Sequence, residues 1–136
     1  MRYDTKIAVV VREDLAGWQK LNVTAFLSSG VAHAAADVVG EPYEDGSGNG
    51  YLPMFREPVL VYTADAPALT RTHHRALSRE VATALYPVEL FNTDNDVDNR
   101  AAVLAVEAAD LDLAGLALRG PRKDVDKVLR GLRLHD

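Results

Sequence analysis

Asp94, Asp96 and Asp98 place carboxylates at alternate positions, the opening of a loop that could wrap one hard cation in oxygen ligands. The rest of such a loop is missing. Its sixth position, which should turn on glycine, is Asn99, and its twelfth, which should be a bidentate glutamate, is Ala105. The aspartates read instead as solvated residues capping a helix, and no metal is expected. Gly46, Gly48 and Gly50 have the spacing of a phosphate loop, but no strand precedes them and no Lys-Ser/Thr pair ends the run. Ser28 and Ser29 fall inside a helical stripe, away from any strand-to-helix elbow, so a serine triad is not expected. His73 lies between Leu69 and Leu77 on the apolar side of a helix and reads as a core residue, while His33, His74 and His135 have no partner at metal-ligand spacing and read as surface residues. The absence of cysteine excludes thiolate chemistry and disulfides.

The remaining cluster with chemical potential is basic: Arg119, Arg122, Lys123, Lys127, Arg130 and Arg133 crowd the last stretch of chain. Val125, Val128, Leu129 and Leu132 form the apolar stripe of a helix there, leaving Lys123, Lys127 and Arg130 on the other side. A solvated face with Asp126 paired to Arg130 accounts for most of this pattern. Arg119 and the free N–H groups behind Pro121 are the part that could hold an anion. The net charge of −5 and the isoelectric point near 5.3 provide no general positive field for polyanions.

Around these residues the apolar pattern alternates between strand and helix. Lys6–Arg12, Pro58–Tyr62, Val81–Tyr86 and Leu111–Leu118 read as strands, the first a β-branched run buried on both faces. Asn22 is the expected N-cap of a first helix, with Val23, Phe26, Leu27, Val31 and Val38 on its packing stripe, so Phe26 is expected in the core. Asp65 caps a second helix, Ala101–Val106 is helix-prone, and Gly120-Pro121 opens the last. The glycine-rich stretch Glu44–Gly50 reads as a mobile turn or hairpin tip. At 136 residues one domain is expected, a three-layer α/β/α sandwich around a mixed four-stranded sheet. The opening residues lack a signal-peptide pattern and the longest apolar runs are strand-sized, so a cytoplasmic protein is expected, with no membrane partner.

The blocks Val10-Val11-Arg12-Glu13-Asp14-Leu15, Lys20-Leu21-Asn22, Glu89-Leu90-Phe91, Asn99-Arg100 and Leu113 to Pro121, followed by Val125-Asp126-Lys127-Val128, resemble an uncharacterised bacterial family described as domain of unknown function two thousand. More distantly they are similar to the type II peptidyl-tRNA hydrolases. That resemblance implies a peptidyl-tRNA hydrolase II-like fold, often dimeric, with no cofactor. It places the hydrolase lysine at Lys20, or at Asn22 with a one-residue shift, and makes Glu89 and Thr93 the nearest equivalents of the loop after the third strand. The aspartate and glycine of that loop are replaced, and with an acidic chain tRNA is not expected as a partner.

Two functions follow as expectations. One is a binding domain for a small anionic ligand, held by Asn22, Asn99, Arg100 and Arg119 in a crevice at the carboxyl ends of the strands. The other is an ester or amide hydrolase, in which Lys20 stabilises developing charge and Glu89 acts as general base beside Thr93.

Overall fold

In the computed structural model, which describes residues 3–136, the run Lys6–Val11 is buried along its whole length. It forms the centre of β1 (Thr5–Arg12). The chain continues through α1 (Gly17–His33), a hairpin of β2 (Tyr43–Glu44) and β3 (Gly50–Tyr51), β4 (Val59–Ala64), α2 (Ala66–Ser78), β5 (Ala82–Pro87), α3 (Asp96–Leu104), β6 (Leu113–Pro121), α4 (Arg122–Val128) and β7 (Arg133–Leu134). Five strands make one mixed sheet in the order β5-β6-β1-β4-β7. β1 runs parallel to β4 and antiparallel to β6. The expected four strands are all present, and the short β7 extends the sheet to five by pairing antiparallel with β4.

The pleat divides the core. Ile7, Val9 and Val11 point to the layer of α1, where Val23, Leu27 and Val31 meet them, while Ala8 and Val10 point to Leu69 and Ala76 of α2 and Val125 and Val128 of α4. α1 lies very close to β6, because a Cβ on Gly115 would stand 2.8 Å from the Val10 carbonyl oxygen and 2.9 Å from Val23 Cγ1. Lys6 enters the α2/α4 layer, and its ammonium donates to Asp126 at 2.7 Å and to Tyr62 at 2.9 Å. Asp126 is thus committed to Lys6 rather than to Arg130.

The first helix starts at Gly17, five residues before the expected cap at Asn22. Ala16 precedes it, and the Gln19 side chain accepts from the Ala16 N–H at 3.0 Å. Phe26 is half exposed rather than in the core, and Val38 is buried beyond the helix end. Asp65 caps α2 as expected, accepting from the Ala68 N–H at 2.9 Å. The tip between β2 and β3 closes on Asp45, which accepts from the N–H groups of Ser47 and Asn49, the Asn49 amide and the Tyr51 hydroxyl. These bonds, those from Asn49 foremost, hold its carboxyl well below the usual carboxylate range.

Candidate functional site

α1 stands as a ridge between two clefts. Its buried line is Val23, Leu27 and Val31. Trp18, Asn22 and Phe26, spaced by one helical turn each, line one flank, while Gly17, Lys20, Leu21 and Thr24 line the other. The first flank faces the segment that follows β5. A register shift between Tyr86 and Pro87 ends the pairing with β6, and Val88–Asn92 then turns as a 3-10 helix toward α3.

Between them opens a cleft of about 400 Å³. Trp18 meets Phe91 edge-on at 6.3 Å between ring centres, Phe26 meets Tyr86 at 5.8 Å, and Tyr86 meets Phe91 at 5.2 Å. Thr93 donates its hydroxyl to Asn99 Oδ1 and lies 3.1 Å from the Leu90 carbonyl. Asn95 caps α3 by accepting from the Asp98 N–H and steadies Asp94 and Asp98 through its amide nitrogen. Asp94 and Asp96 line the cleft, and among the described residues no lysine or arginine does.

Tyr86 is 5 % exposed, and its hydroxyl makes no hydrogen bond among the described residues. No fully buried polar side-chain atom lacks a partner among those residues. The hydroxyl therefore opens into the cleft rather than into the core, and burial pushes its phenol up. The amide groups of Asn22 and the Asn99 amide nitrogen are likewise unengaged among the described residues, which gives the cleft both donors and acceptors along aromatic walls.

Of the residues expected to form a site, Asn22, Thr93 and Asn99 converge in this cleft. Lys20 does not join them. Two positions from Asn22 is more than half a helical turn, so Lys20 leaves α1 on the opposite flank and meets His135, with 3.2 Å between Nζ and Nε2. His135, expected at the surface without a partner, is half-buried there. Glu89 is exposed on the 3-10 turn and lines neither cleft. Arg100 pairs with Asp96 and lies in a shallower apolar depression with Leu85, Leu90 and Val103.

Arg119 lies at the other end of the sheet. It pairs with Ile7 at the start of β1, whereas α1 begins beyond the end of β1, and its guanidinium meets Glu57 at 3.4 Å and Asp37 at 3.5 Å. The turn Arg119–Pro121 and the start of α1 therefore cannot share one crevice, because antiparallel β6 carries its end to the opposite edge. Asn22, inside α1, offers no free helix-terminal N–H. The aspartates 94, 96 and 98 engage Asn95 and Arg100, and among the described residues no group of three or more His, Asp or Glu side chains is placed to hold a metal. His73 is buried, as expected. The aromatic walls were missed: the spacing of Trp18, Asn22 and Phe26 marks one flank, but Tyr86 and Phe91 join it only through the turn after β5.

The fold has a counterpart among solved structures. A protein of unknown function from Agrobacterium tumefaciens strain C58, Atu0240, superposes with a TM-score of 0.96 at 46% sequence identity, over 99% of this chain and 100% of that one. Nothing among the curated proteins matches. A family model described as "Protein of unknown function (DUF2000)" matches residues 5–136, and the chain belongs to that family.

Proposed function

We propose that the protein is a binding domain for a small molecule that carries a flat ring and a positively charged or hydrogen-bond-donating end, seated between α1 and the Tyr86–Asn99 segment. The observation that carries this reading is the Tyr86 hydroxyl, which belongs to an almost fully buried side chain, lines an aromatic cleft and has no protein partner among the described residues. A ligand acceptor in the cleft would take this hydrogen bond in place of solvent, a modest net gain beside the apolar contact. The rings of Trp18, Phe26 and Phe91 supply flat contact surface, and Asp94 and Asp96 at the rim favour an ammonium over a carboxylate.

This ligand differs in charge from the anion expected from the sequence. Arg100 and Arg119, the cations of that expectation, are both engaged by carboxylates and lie outside the cleft. A peptidyl-tRNA hydrolase II-like fold remains a proposal from the resemblance, and hydrolysis by Lys20, Glu89 and Thr93 finds no support in residues that line no common cleft.

Calorimetric titration with tyramine and with 4-hydroxyphenylacetate tests the reading, since the two share a ring and differ in the sign of the end group. Tyramine is expected to bind more tightly, and Tyr86→Phe to weaken it by up to about tenfold, the worth of one hydrogen bond. Equal affinity for both compounds, or tyramine binding untouched by Tyr86→Phe, would overturn it.

A further inference from the structure

The second flank of α1 carries a different chemistry. A groove of about 360 Å³ runs between α1 and the β4 side of the sheet, lined by Val11, Gly17, Leu21, Thr24 and Val61 together with the polar pair Lys20 and His135. α1 packs over β5, β6 and β1, so the face of β4 beside it is only half covered. The edge strand β7 brings His135 to this face, its N–H donating to the Val61 carbonyl at 2.9 Å.

Lys20 is the cation of the groove. Among the described residues no carboxylate lies within ion-pair distance of it, and its polar contact is the His135 imidazole. The Thr24 hydroxyl, which could compete for a ligand, is engaged with the Lys20 carbonyl at 2.8 Å. The groove therefore presents an apolar trough that carries one cation, Lys20, with no carboxylate in ion-pair distance among the described residues, while Asp136 stands across the imidazole with its Oδ1 3.6 Å from Nδ1. The volume is at the small end of ligand cavities.

We infer that this groove is a second ligand site, independent of the aromatic cleft, that takes a small apolar carboxylate: the carboxylate between Lys20 Nζ and His135 Nε2, the aliphatic body along Val11, Leu21 and Val61. A carboxylate accepts from Lys20 Nζ and supplies its counter-charge, and it accepts from His135 as well where the ring carries its proton on Nε2, the atom the ammonium otherwise meets as an acceptor. An alcohol of the same length gains the apolar contact without the ion pair, and acetate gains the ion pair without the contact.

Titration of the full chain with hexanoate, hexanol and acetate, followed by backbone amide chemical shifts, separates these contributions. Hexanoate is expected to shift Gly17, Leu21, Thr24 and His135 together, at least tenfold more tightly than either hexanol or acetate. Lys20→Met should remove that advantage and leave hexanol binding unchanged, and exposed Leu21→Asp, which puts a like charge on the trough without touching the core, should abolish hexanoate binding. Shifts confined to other residues would overturn the inference, as would equal affinity for hexanoate and hexanol, or hexanoate binding that survives both substitutions. Tyramine shifts on the other flank serve as the folding control for each variant if that cleft binds it, and an unchanged amide spectrum serves if it does not.

Discussion

Single side chains in this protein are poised by what surrounds them, and His73 is the clearest case. It is buried on α2, and burial, with the His74 ring 5.9 Å away, pulls its imidazole below the ordinary value of 6.5. The folded state thus resists taking a proton that the unfolded chain accepts. Stability is accordingly full above pH 6.5 and falls as the pH drops from there through the lower folded value. Urea melts between pH 7.5 and 5 should show this loss, and His73→Gln should flatten it relative to the parent; parallel slopes would refute it. Lys6 behaves oppositely. Burial lowers its pKa, but the bonds to Asp126 and Tyr62 more than compensate and hold it above 10.5, so its contribution fades only as the pH rises through that range. Gly115 marks a steric limit. Gly115→Ala forces a methyl against the Val10 carbonyl and should cost about 1–3 kcal/mol by urea denaturation. Phe26→Ala, by contrast, removes a half-exposed ring whose defined contact is the edge of Tyr86, and about 1 kcal/mol is expected rather than the 3–5 of a core phenylalanine.

Elements carry the site, and α3 is the least anchored of them. None of its residues is buried, so its position rests on the Asn95 cap and on the Thr93–Asn99 hydrogen bond to the preceding turn. Asn95→Ala should cost about 1 kcal/mol locally, raise amide exchange across α3 and weaken tyramine binding, with little change in global unfolding. Unaltered exchange in α3 would show that the cap does not hold it. The same contrast between anchored and unanchored segments governs what could be read from the sequence. β1 and β6 announce themselves because burial on both faces demands unbroken apolar runs, β4 and β5 because even partly covered strands keep an apolar majority, and Asp65 announces α2 through its own side chain. β7 does not, because two exposed residues leave no pattern. The start of α1 is hidden for another reason: Ala16 has no capping oxygen, the satisfied N–H belongs to Gln19's reach backward, and the better-looking cap at Asn22 is an interior residue. That displacement of the cap by six residues, from Asn22 to Ala16, decided the site, since it put Lys20 and Asn22 on different flanks of one helix. Asn22, Thr93 and Asn99 could be picked out together, but Tyr86 could not, because its role depends on the bulge that ends β5.

Across the whole molecule, the well-buried cations Lys6, Arg12 and Arg119 are matched by carboxylates, while most exposed cations among the described residues are not. Of the six basic residues near the C-terminus, Arg119 faces Glu57 and Asp37, and Arg122 donates to the Tyr3 carbonyl. Asp124 and Asp126 interrupt the cluster and engage Arg79 and Lys6. Lys123, Lys127, Arg130 and Arg133 remain exposed without ion pairs among the described residues. Among those residues, no helix is long and apolar enough to cross a membrane. The four unpaired cations of this cluster, on a molecule of net charge −5, could neutralise four phosphates, which sets the salt dependence of single-stranded RNA binding through the cluster at a slope no steeper than about −3, at roughly 0.7 per contact. The expected outcome with bulk tRNA at physiological salt is a dissociation constant weaker than about 100 μM, the weak end of non-specific binding. Fluorescence anisotropy over a salt series checks both numbers. A submicromolar constant with a slope beyond about −3 would require more phosphate contacts than these four side chains supply, and would point to recruitment of other unpaired cations such as Lys20 and Arg71 or to a basic surface built by a second copy of the chain.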